Sequence, residues 1–287
     1  MIPGPAPRPD PAALHARARA CIEEPEPERK LEATLELARE IRGGALRPPV
    51  DPGETPPPAP IPSPGRPASL RLVPPTRVPR RRLGRAEGRA HLLHALAHIE
   101  FNAVDLAWDA VYRFRGLPER YYRDWAGVAA EEAAHFVLLR RRLREFGYDY
   151  GDLPAHDGLW RMAVATAGDP LLRMALVPRV LEARGLDVTP GMQRRLREAG
   201  DAASADLLTI ILRDEIGHVD LGGRWFRYLC GVRGLEPRRA WIDLVRRHAP
   251  GIVRGPLQQG LRLRAGFTPA ELEELNAHAK VAAPGAG

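Results

Sequence analysis

The chain has 287 residues, 44% of them hydrophobic, which suffices for one large domain or two small ones around a buried core. No apolar run approaches the roughly eighteen residues a membrane-spanning helix needs, and no basic-then-apolar leader opens the chain. The net charge of +7 matches that of residues 66–89 alone, where eight arginines face only Glu87. The expectation is therefore one basic strap on an otherwise balanced protein, with nucleic acid a possible but unfavoured partner.

Cys21 and Cys230 have no C-x-x-C spacing, so no disulfide framework is expected and a reducing cytoplasm is the simplest compartment. Residues 1–47 carry a helical stretch at 10–42, ended by Gly43-Gly44. Residues 48–83 form a Pro/Arg-rich arm. Thirteen prolines between 48 and 79 exclude a helix or a central strand. The arm is either a plain linker or a wrap anchored by Leu70, Leu72 and Val73.

Residues 84–234 read as four long helices. The first runs from about Glu87 to Phe114, with Leu93, Leu96, Ala97, Val104, Ala107 and Val111 on or near the face of Glu100. After Gly116 and Pro118 a second continues to about Phe146 and carries Glu132 and His135. A loop follows at 147–160. The third starts at about Pro170 and ends at Gly185, with Pro178 kinking it one turn before Glu182 by removing the bond to the Met174 carbonyl. Thr189-Pro190 should open a short separate helix. The fourth runs from about Ala202 to Leu229 and carries Glu215 and His218. Residues 235–287 hold further packing helices and a tail.

The chemistry lies in a repeat. Thirty-one residues lie between Glu100 and Glu132-x-x-His135, and thirty-two between Glu182 and Glu215-x-x-His218. Residues three apart share a helix face, so each pair sends one carboxylate and one imidazole to the interior, where Glu100 and Glu182 can bridge or cap. Four carboxylates in a core are prohibitive without cations. The set Glu100, Glu132, His135, Glu182, Glu215 and His218 describes a two-metal site inside an all-α four-helix bundle. Oxygen and imidazole donors without thiolate favour two iron ions, with manganese as the alternative. Metal-bound histidines usually donate their other N–H to a carboxylate. Asp214 for His135 and Glu131 for His218 are the candidates, with Asp105 as the alternative. His91, His94 and His98 point well away from Glu100, which assigns them to the surface or to caps. Gly217, Gly222 and Gly223 serve either close helix packing or room for a substrate.

The wording HLLHALAHIEFNAVDLAWDAVYRF, EEAAHFVLLRRRL, DYGDLPAHDGLW, RMALVPRVLEARGLDVTPGM and ILRDEIGHVDLGGRWFRYLC resembles a bacterial ferritin-like group, domain of unknown function family 455. The likeness covers roughly residues 70–245 and extends to the ferritin-like di-iron carboxylate superfamily. It implies a ferritin-like bundle and the same six ligands, but no reaction, because the group has none assigned. Pro178 departs from the wider pattern next to Glu182. The expected activity is an oxygen-dependent oxidoreductase or hydroxylase acting on a small molecule, with dioxygen and a redox partner. The alternatives are a ferroxidase or iron-handling protein, a tRNA-modifying hydroxylase and a structural metal-binding protein. An oligomer is open.

Overall fold

Two prolines divide the N-terminal stretch that the sequence leads one to expect as continuous: α1 (Pro11–Glu23) stops before Pro25, and α2 (Pro27–Arg42) begins on Pro27. Proline is tolerated at the first helical position because its missing N–H would have no partner there. The α2 helix ends at Gly43, and Gly44 takes the left-handed conformation at φ 77°. The computed structural model describes residues 11–48, 56–79, 82–249, 251 and 256–281. Among these every regular element is helical, apart from one isolated β-bridge between Leu72 and Ala155.

The α3 helix (Ala86–Arg113) and α4 (Glu119–Arg144) form a hairpin, with Gly116 at φ 69° in the turn. Phe101 and Phe136 meet across it at 5.0 Å between ring centres. The first two helices pack on this hairpin and are joined to it by polar bonds in the core. Lys30 of α2 is fully buried against Asp105 of α3 and donates to the Ile22 carbonyl at 2.9 Å. Trp108 Nε1 donates to Thr34 Oγ1 at 2.9 Å. A buried cation of this kind is tolerated only because the carboxylate and carbonyl replace its hydration.

The expected 147–160 loop gives way at Gly158 to a short helix, α5 (Gly158–Ala165), for which the sequence carries no expectation. Next come α6 (Pro170–Leu176), one π-helical turn (Val177–Glu182) and α7 (Ala183–Glu198) as one continuous rod. Two expectations are corrected here. The helix does not end at Gly185, and Thr189-Pro190 opens no new helix, since Pro190 lies inside α7. Tertiary packing overrides the local proline signal: Leu186 and Leu196, on either side of Pro190, are fully buried. At Pro178 the backbone widens to a π-turn instead of a simple kink, which accommodates the missing N–H.

The α8 helix (Ala202–Val232) is 31 residues long and is capped by Asp201, whose side chain accepts from Ser204 N–H. Gly222 fixes its contact with the π-turn: a Cβ there would fall 2.2 Å from Pro178 Cβ. Beyond it, α9 (Pro237–His248), α10 (Gln259–Arg264) and α11 (Pro269–Val281) pack over the α6–α7 rod. Trp241 Nε1 donates to the Ala175 carbonyl, and Arg179 and Arg262 pair with Glu271 and Asp187.

The described part of the arm lies against the helices, in part through the expected anchors: Leu70 packs on the core, and Val73 N–H donates to the Ala155 carbonyl at 2.8 Å. Leu72 is 40% exposed, whereas Ile61 is buried and its carbonyl accepts from Trp160 Nε1 at 3.2 Å. Gly65 passes so close to α1 that a Cβ would sit 2.3 Å from the Glu23 carbonyl oxygen. Arg66 reaches Asp157 and Asn102. Proline-rich backbone has few N–H groups to satisfy, and two that remain, on Gly65 and Val73, donate to the carbonyls of Ile22 and Ala155 at 2.8 Å. Arg80 and Arg81 of the strap lie outside the described residues.

Candidate metal centre

Four segments bring the repeat together. Glu100 comes from α3, Glu132 and His135 from α4, Glu182 from the last residue of the π-turn, and Glu215 and His218 from α8. Glu100, Glu132, His135 and His218 are each at most 4% exposed. Apolar neighbours such as Phe101, Ala129, Ala133, Phe136 and Val219 are buried next to them along the same helices. The amphipathic period that buries those neighbours also turns the carboxylates inward.

Glu132 is the centre of the geometry. Its Oε1 lies 2.9 Å from His218 Nδ1 and its Oε2 lies 3.2 Å from His135 Nδ1. His135 Nδ1 is also 3.3 Å from Glu100 Oε2, and His218 Nδ1 is 4.0 Å from Glu215 Oε2. The sequence reading pairs each histidine with the glutamate three residues before it. In the structure one glutamate spans both rings, whose centres are 5.9 Å apart. One donor atom each from Glu100, Glu132, His135 and Glu215 lies within 4.8 Å of the others, a cluster that could hold a metal ion. Glu182 stands outside this tightest group but close enough to feel the charges of Glu132 and His218.

The outer ring nitrogens meet carboxylates. His135 Nε2 is 3.2 Å from Asp214 Oδ2, and His218 Nε2 is 2.7 Å from Glu131 Oε2. Asp105 is not brought to either ring, because Lys30 occupies it. Sequence reasoning missed Lys30. The available signal was its rarity: one of two lysines in a chain otherwise supplied with arginine, placed beside Leu31 on an amphipathic helix.

Electrostatics show what this arrangement needs. Burial, reinforced by the charge on Glu132, pushes the Glu100 carboxyl up to about 8 and that of Glu182 up to about 7, and raises Glu215 well above the usual range. Burial also opposes ionisation of Glu132, but His218 and His135 hold it below the ordinary carboxylate range. Burial disfavours an imidazolium at His135, yet Glu100 and Glu132 raise it to about 11. Protons thus compensate the excess negative charge. Bound cations would displace those protons, and the donors fit them: Glu182 Oε2 and Glu215 Oε2 are buried with no protein hydrogen-bond partner.

The remaining candidates resolve into structure. His94 and His98 are buried, which corrects their assignment to the surface. They point away from Glu100 but into the 147–160 loop. His94 Nε2 accepts from Gly151 N–H at 3.1 Å, and His98 contacts Tyr150 Oη at 2.9 Å and the His156 carbonyl at 3.1 Å. Tyr112 and Tyr122 donate to the carbonyls of Ala59 and Phe114. Gly222 is a packing contact with Pro178, so no substrate space is made there.

A family model described as "Protein of unknown function (DUF455)" matches residues 23–273. An uncharacterized protein of Haemophilus influenzae is 47% identical over 209 residues, covering 70% of this chain and 73% of its own. No solved structure matches. With most of its length matched from the second helix to the last, the chain belongs to the DUF455 family.

Proposed function

We propose that α3, α4, the α6–α7 rod and α8 form a ferritin-like four-helix bundle that holds two metal ions, iron before manganese. We further propose that the protein is an oxidoreductase, using the metals to oxidise a small organic molecule with dioxygen. The observation that carries the reading is the donor set: four carboxylates, Glu100 and Glu132 buried and Glu182 and Glu215 half-buried, approach two buried imidazoles from four helical segments, and Glu132 lies against both rings. A site of oxygen and nitrogen donors without thiolate suits iron and manganese over copper(I) or structural zinc. Bound there, the metals would supply redox chemistry that no side chain offers.

The chain's own contribution follows from its geometry. Glu131 and Asp214 hold the outer Nε2–H of the two histidines, leaving each Nδ1 lone pair to the interior. Buried helix faces exclude bulk water, which strengthens every charge interaction at the centre. Electrons for repeated turnover would come from a redox partner. The strap is proposed as an intramolecular clamp rather than a nucleic-acid contact, because Arg66 engages Asp157 and Arg89 lies 3.5 Å from Asp201.

The test is an anaerobic titration of the metal-free protein with ferrous iron, followed by air, with metal content and oxygen uptake recorded. The expected result is saturation and oxygen consumption near two irons per chain. Retention of hundreds of oxidised ions per assembly would make the protein a store, and no binding at all would end the two-metal reading.

A further inference from the structure

A cleft of about 270 Å³ opens between α4 and α8 on the outer side of His218. Gly127 and Glu131 line it from α4, and Gly217 and Leu221 from α8. A Cβ added at Gly127 or Gly217 would meet nothing within 4 Å, so the absence of two side chains keeps this space open. At its inner end the His218 ring has one nitrogen on each side of the wall: Nε2 is 2.7 Å from Glu131, and Nδ1 is 2.9 Å from Glu132 of the centre. The thickness of one imidazole therefore separates cleft from core.

We propose that this cleft is the route by which divalent cations reach the centre, with Glu131 as the carboxylate that first captures them. The proposal rests on the two-metal reading above. A hydrated cation loses its waters most easily when protein oxygens replace them one at a time. Glu131 can begin that exchange because its side chain is 55% exposed while one oxygen stays on His218. Its counterpart Asp214 is less suited, since Arg213 at 2.9 Å already neutralises it. Arg42 and Arg123 also line the cleft, but Arg123 is paired with Glu119 at 2.5 Å. Arg42 is exposed, so solvent and salt screen its charge.

The experiment follows Co²⁺ uptake by the full-length chain after chelation, using rapid-mixing visible absorption for the rate and elemental analysis for the endpoint. Glu131→Gln keeps an oxygen to accept from His218 Nε2–H but removes the charge. Gly127→Leu and Gly217→Leu fill the cleft, and Gly231→Leu serves as a control at an open position far along α8. The expected result is uptake slowed by at least about tenfold in the three cleft variants, the scale of electrostatic and steric control of an encounter. The endpoint of the two glycine variants stays at the wild-type value, and the control matches wild type. Cleft variants that load as fast as wild type to the same endpoint overturn the route and leave the two-metal reading standing. A wild-type chain that takes up no Co²⁺ overturns both. Should either leucine variant fail to give the wild-type circular dichroism, the initial uptake rate of Glu131→Gln, read apart from its endpoint, decides.

Discussion

Among the six candidate ligands, Glu132 sets its two carboxylate oxygens against histidines of two helices, His135 on its own and His218 on α8. Glu132→Ala should therefore cost more metal than the loss of any other single ligand, leaving less than one ion per chain. His135→Ala or His218→Ala should remove at least one. Elemental analysis after anaerobic loading checks the order, and stoichiometric metal in a His135→Ala/His218→Ala double variant would contradict the ligand assignment. Away from the centre, His15 and His94 bring acid sensitivity. Burial lowers both to about 4, against an unfolded value near 6.5. Between those values the unfolded chain binds more protons, so the contribution is complete above about pH 6.5 and declines toward pH 4. The slope is up to about 1.4 kcal/mol per pH unit for each histidine. Urea midpoints at pH 7 and pH 5 should differ in this direction, and His94→Gln should narrow the gap.

At the level of elements, the contact of Gly222 with Pro178 joins α8 to the π-turn that ends on Glu182. Gly222→Leu should cost at least the roughly 1–3 kcal/mol typical of overpacking and should lower metal affinity by displacing Glu182. Denaturant midpoints and a metal competition assay measure the two effects separately. The long helices were readable because their apolar period is sustained over seven turns or more, and the Glu-x-x-His pairs because three residues always share a helix face. Local proline signals were less informative. Pro27 starts a helix, Pro178 widens one and Pro190 sits inside one, and only the burial of neighbours such as Leu186 and Leu196 decides between these outcomes. His94 and His98 misled for a related reason: a helix face turned from the centre need not face water when a loop covers it. The span of Glu132 across both rings depends on how α4 and α8 are set against each other, which periodicity does not encode.

Taken as a whole, the molecule gathers negative charge at its centre and surrounds it with buried ion pairs farther out, among them Arg173 with Asp109 and Arg179 with Glu271. The outer pairs are balanced internally, but the centre depends on protons or cations. Metal-free protein should melt at a lower temperature than loaded protein at neutral pH, because binding to the folded state alone adds stability by mass action. Equal melting temperatures in samples verified as loaded and stripped would show that the carboxylates impose no such demand.

The Lys30–Asp105 pair has a practical consequence for anyone trimming this protein to its ligand-bearing helices. A chain begun at residue 84 would retain all six candidate ligands and look self-sufficient on paper. It would also strand Asp105 in apolar surroundings without its counter-charge, leave Trp108 Nε1 without Thr34, and uncover the faces of α3 and α4 that α1 and α2 now shield. Breaking a buried ion pair from one side typically costs about 3–5 kcal/mol, comparable to a large part of a domain's entire stability. Such a fragment should be recovered as aggregate, and Asp105→Asn within it should improve recovery. The minimal unit for expression and crystallisation therefore starts ahead of α1, on the far side of the proline-rich arm.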